Sequence, residues 1–139
     1  ITVLNCTFTN NQALNGAGVY IDNRNNKTLI SNCIFKRNTC TYNQNVSSGN
    51  GSCIYLNKGN DVEISYNVFK NNNGVNNITS SIWMTGNAYI SENSFYNNDY
   101  ECEIYLINGT LSMDNNIFDG NIQSVKGYNG QKSYRIRGL

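Results

Sequence analysis

The sequence contains no histidine and no proline, and only 14% of its residues are charged. Without histidine, Ser-His-Asp and Cys-His nucleophile chemistry is excluded. With no Cys-x-x-Cys either, zinc has no ligand set to build on. The net charge is +1, whereas phosphate backbones are bound by a dense Lys/Arg footprint, so nucleic acid is not an expected partner. No run of ~18 apolar residues occurs, and no helical membrane span is expected. The Gly-Gly-x-Gly-x-Asp repeat of calcium-binding β-helices is missing, and no metal or cofactor is expected. No signal-peptide pattern is visible and the chain opens on Ile1. It reads as a processed product or a piece of a longer chain.

What the chain has in quantity is asparagine, 29 of 139 residues, with ten tyrosines. Such a composition can belong to a prion-like disordered tract. Order is favoured here because the apolar residues recur in register. Asparagine also tolerates the left-handed backbone conformation and forms ladders when equivalent positions stack.

Alignment on phenylalanine exposes a repeat. All five phenylalanines, Phe8, Phe35, Phe69, Phe95 and Phe118, are followed three residues later by Asn11, Asn38, Asn72, Asn98 and Asn121. Five residues before each Phe lie Val3, Ile30, Ile64, Ile90 and Met113. Two before lie Cys6, Cys33, Asn67, Asn93 and Asn116. A further strand carries a triplet, Val19-Tyr20-Ile21, Ile54-Tyr55-Leu56, Ile82-Trp83-Met84 and Ile104-Tyr105-Leu106.

Period-two alternation in each segment marks short strands. The expected fold is all-β, a right-handed parallel β-helix of about five rungs with three short strands each. Residues 1–139 form a single repeat domain, a segment or protomer of a longer fibrous assembly. Variable spacing between Phe-x-x-Asn and the next triplet marks a loop, longest from Thr39 to Ser52. Leucine-rich repeats need several Leu per repeat at fixed spacing, and a sandwich does not keep register across unequal loops.

The Phe-x-x-Asn motif, preceded by Asn5-Cys6 or Asn32-Cys33, resembles the repeats of chlamydial polymorphic membrane proteins. Gly16-Ala17-Gly18-Val19 resembles their Gly-Gly-Ala-Ile element. Related repeats occur in adhesin-like β-helix proteins of the pectin-lyase-like class. The resemblance spans Val3 to Asn121 and implies the β-helix fold with surface display, adhesion or filament building.

The triplets predict an outward aromatic row, Tyr20, Tyr55, Trp83 and Tyr105. It reads either as a surface for host or matrix sugars or as a stack that stabilises the sheet face. The Asn ladder (Asn11, Asn38, Asn72, Asn98, Asn121) reads as structural. Sequons for N-linked glycans begin at Asn5, Asn26, Asn45, Asn50, Asn77 and Asn108, close to the number that composition alone gives, mostly in expected loops. Glycan attachment there is expected if the chain is secreted.

Cys6 and Cys33 share one repeat position in adjacent rungs, where a disulfide or a buried thiol pair fits. Cys40 and Cys53 flank the longest loop and are candidates to staple it. Cys102 is left over, a free thiol or an intermolecular link.

Catalysis on this fold would need carboxylates in an outer groove. The acidic candidates are Asp61/Glu63, Asp99/Glu101/Glu103 and Asp114/Asp119. Glu101 and Glu103 read as a solvated surface pair, and no enzyme activity is expected. Ile1 to Leu4 starts inside a strand, and Ser133 to Arg137 reads as a last one. Bare β-helix ends pair with other strands, so either caps lie outside this piece or copies of the chain stacked end to end are the expected partner. Lys132, Arg135 and Arg137 can instead guard that edge. The sequence thus points to an extracellular or cell-surface structural module, with an adhesin as the alternative.

Overall fold

The computed structural model describes residues 1–22, 27–41, 45, 50–74, 80–99, 102–119, 123–127 and 134–137, with backbone only for 123, 124 and 134–137. The chain runs through β1 (Thr2–Leu4), β2 (Thr7–Thr9), β3 (Gln12–Ala13), β4 (Val19–Asp22), β5 (Thr28–Ser31), β6 (Ile34–Lys36), β7 (Thr39–Cys40), β8 (Ile54–Ser65), β9 (Val68–Lys70), β10 (Asn73–Gly74), β11 (Ile82–Ser91), β12 (Ser94–Tyr96), β13 (Cys102–Asn108), β14 (Leu111–Asp114), β15 (Ile117–Asp119), β16 (Gln123–Gly127) and β17 (Tyr134–Arg137). Every strand pairing among them is parallel, and partners always lie one rung apart. The fold is a parallel β-helix. Its crossovers are expected to be right-handed because right-twisted strands pack back onto a sheet that way.

Register follows the repeat. Phe8, Phe35, Phe69, Phe95 and Phe118 pair in one column through β2, β6, β9, β12 and β15. Val3, Ile30, Ile64, Ile90 and Met113 pair in another. The rungs differ from expectation in one respect. The first three turns have four strand segments rather than three, because a two-residue strand (β3, β7, β10) sits between the Phe strand and the triplet. In β8 and β11 the triplet strand and the aliphatic strand of the following rung fuse across a bend, which joins two faces into one nine-stranded sheet.

Each phenylalanine lies on the next, with ring centroids 4.6–4.9 Å apart and planes within 9°. Phe35, Phe69 and Phe95 are fully buried. Each such burial contributes roughly 1.5–3 kcal/mol. Ile30, Ile64 and Ile90 of the aliphatic column and Ile54, Leu56, Ile82, Met84, Ile104 and Leu106 of the triplets join the Phe column in one core cluster.

The Phe strand is bracketed by two tight turns, and each turn has the same two-residue grammar. The first residue takes positive φ: Asn5, Asn32, Tyr66, Glu92 and Asn115 before the strand, Asn10, Arg37, Asn71 and Asn97 after it. The second residue sends a polar side chain inward. After the strand, the Oδ1 of Asn72 accepts from both the backbone N–H and the Nδ2 of Asn38, at 2.9 and 3.2 Å. Asn72 in turn donates from Nδ2 to Phe35 O and to Asn98 Oδ1, both at 3.0 Å. Asn11 joins this ladder through Asn38 Oδ1. Asn121 lies outside the described residues.

A second ladder, which the sequence reading did not recognise, runs before the strand. Asn67 Oδ1 accepts from Cys33 N–H, Asn93 Oδ1 from Asn67, and Asn116 Oδ1 from Asn93, all at 2.9–3.0 Å. Each Nδ2 also donates to a carbonyl of the preceding rung, Ile30, Ile64 or Ile90. Buried amides left without partners cost about 1–3 kcal/mol each, and here none of the central ones is left so.

Replacing Asn67 by Ala strips partners from Cys33 N–H, Ile30 C=O and Asn93 Oδ1 together. We expect a loss of about 3 kcal/mol in urea unfolding. A loss below about 1 kcal/mol would show that the second ladder is incidental.

Candidate functional site

The aromatic row lies on the outer face of the triplet sheet because Ile54 and Leu56, and likewise Ile82 and Met84, point into the core. Tyr20 and Tyr55 stack at 4.8 Å with planes 4° apart, and Tyr55 and Trp83 at 4.4 Å with planes 1° apart. A sugar ring binds an aromatic by lying on its face. In this row the rings lie on each other, so Tyr55 presents mainly its edge and hydroxyl. Burial and the nearby Tyr20 and Asp22 raise the Tyr55 phenol above its ordinary pKa.

Tyr20 is 55% exposed and begins the stack. Tyr105 is in register with Trp83 but is buried, with 9% of its surface accessible. The row thus keeps its expected register through all four triplets, but its last member is covered rather than exposed, as are all five residues from Cys102 to Leu106.

Two residues beyond the aromatics, a polar column continues the same face. Asn57 Nδ2 donates to Asp22 Oδ1 at 3.1 Å, and Thr85 Oγ1 accepts from Lys58 N–H at 2.6 Å. Asn108 pairs with Thr85 across a bulge. Here the chain bends, with Lys58 at φ 58° and Gly86 and Gly109 at φ 103° and 106°. Gly59, Gly86 and Gly109 stack so closely that a Cβ on Gly86 would run into the Gly59 carbonyl. This bend opens a shallow cavity of about 450 Å³ lined by Asn57, Lys58, Asn60, Thr85, Asn87 and Asn108 with the glycines. The sequence reading missed the cavity. The glycine two to three residues after three of the four triplets (Gly59, Gly86, Gly109) was the signal available.

The acidic candidates do not converge. Asp61 and Asp99 are exposed, and Asp119 is exposed on the Phe sheet. Glu63 accepts from Ser65 Oγ, and Asp114 closes β14. Glu101 lies outside the described residues. Among the described residues, no three His, Cys, Asp or Glu side chains group to hold a metal ion.

Glu103 is not the solvated residue expected. It is 1% exposed, accepts from Ser81 Oγ at 2.5 Å, and accepts from Asn98 Nδ2 at 3.1 and 3.2 Å. Alternation fails at this corner. In the rung below, the consecutive N–H groups of Cys53 and Ile54 both bond to Ser81 O, so two neighbouring side chains turn inward instead of one. Burial pushes the Glu103 carboxyl up to about 6, against the opposing pull of Ser81 and Asn98.

All five cysteines are thiols, and neither expected disulfide is made. Cys6 and Cys33 do stack, but as ladder members. Cys6 Sγ donates to Leu4 O at 3.1 Å, and Cys33 Sγ donates to Ser31 O at 3.3 Å and Val3 O at 3.7 Å, where asparagine donates in later rungs. Stacked side chains run side by side, whereas a disulfide needs them turned towards each other with χ3 near ~90°. Cys40 and Cys53 belong to different columns. Cys40 donates to Leu14 O, and burial pushes its thiol up to about 12. Cys53 is in the core cluster, beside the Ser52 hydroxyl. Cys102 is buried, which removes it as an intermolecular link.

Of the sequons, Asn5, Asn45 and Asn108 are exposed. Asn50 is half-buried, its Ser52 fully buried. Asn26 and Asn77 lie outside the described residues. No helix among the described residues is long and apolar enough to cross a membrane.

Compared with known proteins, the chain matches no family model, no curated protein and no solved structure. The resemblance to polymorphic membrane proteins therefore rests on the motif alone.

Glu103 gives stability a pH dependence whose sign is fixed. With the folded pKa raised from 4.5 to about 6, the native state binds more protons than the unfolded state in that interval. Its contribution is fully present below 4.5 and is lost as pH rises through about 6, a change of about 2 kcal/mol. Glu103→Gln keeps the polar contacts and removes the ionisation. Urea unfolding between pH 4 and 7.5 should show the wild-type slope flattened in the variant, and parallel curves would refute the assignment.

Proposed function

We propose that the chain is an extracellular structural β-helix, an N-glycosylated filament subunit or segment of a fibrous cell-surface protein. The observation that carries this reading is how completely stacking consumes the side chains that do chemistry elsewhere. The faces of Phe8 to Phe118 and of Tyr20 to Trp83 lie on each other, and both ladders occupy their amides. Among the described residues the carboxylates are scattered over separate faces, and the one buried acid, Glu103, caps a ladder. The Phe-x-x-Asn resemblance, with its implication of surface display, agrees with this reading.

Copies of the chain are the partner this reading favours. Val3 and Phe8 are only half-buried, and Tyr20 keeps one ring face without a stacked neighbour among the described residues. A further rung placed against them, from a longer stretch of the same chain or from a copy, would cover all three. Docking by a rung on a rung is a head-to-tail contact, which does not close and so propagates.

The alternative is an adhesin or carbohydrate-binding module. Its support is the 55% exposure of Tyr20 beside a polar column. The readings separate at Trp83. On the structural reading Trp83→Ala costs about 3 kcal/mol in stability by removing the ring that stacks on Tyr55. Purified protein at high concentration shows end-to-end filaments by electron microscopy. Dispersed particles at every concentration would end the filament form. Glycan-array binding that Trp83→Ala abolishes without loss of stability would establish the adhesin instead.

A further inference from the structure

We propose that Asn108 carries an N-linked glycan and that the first sugar of this glycan is held in the cavity at the bend of β8 and β11. The inference rests on the secreted, glycosylated reading above and deepens it. It selects one sequon from several and gives its sugar a binding site.

The selection comes from surroundings. Asn5 sits on an exposed left-handed turn, and Asn45 on an exposed turn of the long loop. Asn50 is tied into the fold, since its N–H donates to Asn15 Oδ1 and its carbonyl accepts from Gly16, while Ser52 of the same sequon is fully buried. Asn108 is exposed and lines the cavity. Thr110 is exposed too, and it is anchored through its backbone, with N–H donating to Asn87 Oδ1 at 2.9 Å and to Gly86 O at 3.2 Å. The acceptor amide and the sequon hydroxyl thus reach solvent from a fixed backbone.

The cavity walls suit an acetamido sugar. Asn87 spends its Oδ1 on Thr110 and so presents Nδ2 as a donor. Lys58 and Asn60 are exposed and line the same cavity. An ammonium and two amides are rich in donors, and the acetamido carbonyl and ring hydroxyls of N-acetylglucosamine accept hydrogen bonds. A volume of about 450 Å³ is within the range of small-ligand sites. Lys58 holds φ 58°, and Thr85 Oγ1 accepts from its N–H, so the exposed ammonium is carried on a fixed backbone position at the cavity.

Attachment is a transfer from a lipid-diphosphate-linked oligosaccharide. A bond forms between Asn108 Nδ2 and the anomeric carbon, the bond from that carbon to the diphosphate oxygen breaks, and the leaving diphosphate keeps the electron pair. The amide nitrogen gives up one proton to the transferase or solvent.

The test uses the full chain made in a eukaryotic secretory host, trimmed by an endoglycosidase to one N-acetylglucosamine per occupied site. Peptide mass spectrometry reads occupancy. Thr110→Ala removes the Asn108 sequon but keeps the backbone bonds, and it serves as the reference made in the same host. The expected results are occupied Asn108 and a melting temperature about 3 °C above Thr110→Ala. Lys58→Asn suits the left-handed backbone while removing the ammonium, and Asn60→Ala removes an amide. Each should cut the sugar-dependent rise by half or more when measured with and without Thr110→Ala, a cycle that isolates the coupling. Other sequons occupied with Asn108 empty would overturn the inference and leave the glycoprotein reading standing. Asn108 occupied with no coupling to Lys58 or Asn60 would overturn the held sugar. No occupied sequon at all would overturn both readings.

Discussion

Parallel strands in register set each side chain ~4.8 Å from its counterpart in the next rung, so every column must tolerate its own image. Few residue types do so when buried. Phenylalanine does, because its rings stack at nearly this spacing, as the Phe8 to Phe118 column shows. Isoleucine does, because apolar contact has no direction. Asparagine does because one amide both donates and accepts, so a column of amides satisfies itself. A buried column of lysine or glutamate repels itself, and in-register like charge occurs here at a solvent-facing pair, Lys36 on Lys70.

This constraint gives asparagine two separate tasks at the turns. Asn71 supplies the left-handed backbone and Asn72 the ladder amide. The tasks tolerate substitution differently. The left-handed place also takes Arg37, Tyr66 and Glu92, since a conformational cost on an exposed side chain is small and the ladder on its inner neighbour holds the turn. The ladder place takes cysteine at Cys33, whose thiol donates as the amide does but whose sulfur is a weak acceptor. The substitution therefore stands near the outer end of the second ladder. At Asn98 the other ladder meets Glu103, whose two carboxyl oxygens receive its donor.

The repeat made most of this legible before any coordinates. Placing all five Phe in one register fixed the core column, the aliphatic column and the pairing of the triplets, since a one-residue slip would turn each set outward. What was not legible came from places where alternation stops. Glu103 read as outward by counting, but the two consecutive N–H groups bonded to one carbonyl at that corner reset the count. Tyr105 keeps the register of Trp83 and is covered there. The second Asn column was visible at the position two before Phe, yet its first two members are cysteines, which drew attention to sulfur chemistry instead. The cavity at Lys58 and Asn87 was hidden because it is made by backbone bends at Gly59, Gly86 and Gly109, whose effect depends on the glycines stacking.

The ladders also give the stack a direction that bears on assembly. In both, Oδ1 of a later rung accepts from the N–H and Nδ2 of the earlier one. The two faces of a rung therefore differ on these columns: the earlier face offers Oδ1 and an Nδ2 hydrogen aimed at a carbonyl, and the later face offers N–H, Nδ2 and that carbonyl. Two earlier faces brought together would set Oδ1 against Oδ1 and Nδ2 against Nδ2, with strands running antiparallel across the junction. An earlier face on a later face instead continues every column, amide and aromatic alike. Rung-on-rung association is thus polar by construction, and a polar, heterologous contact builds an open array rather than a closed dimer. The side chains that give the turns their stability are the same ones that select the sense in which a further rung can be added.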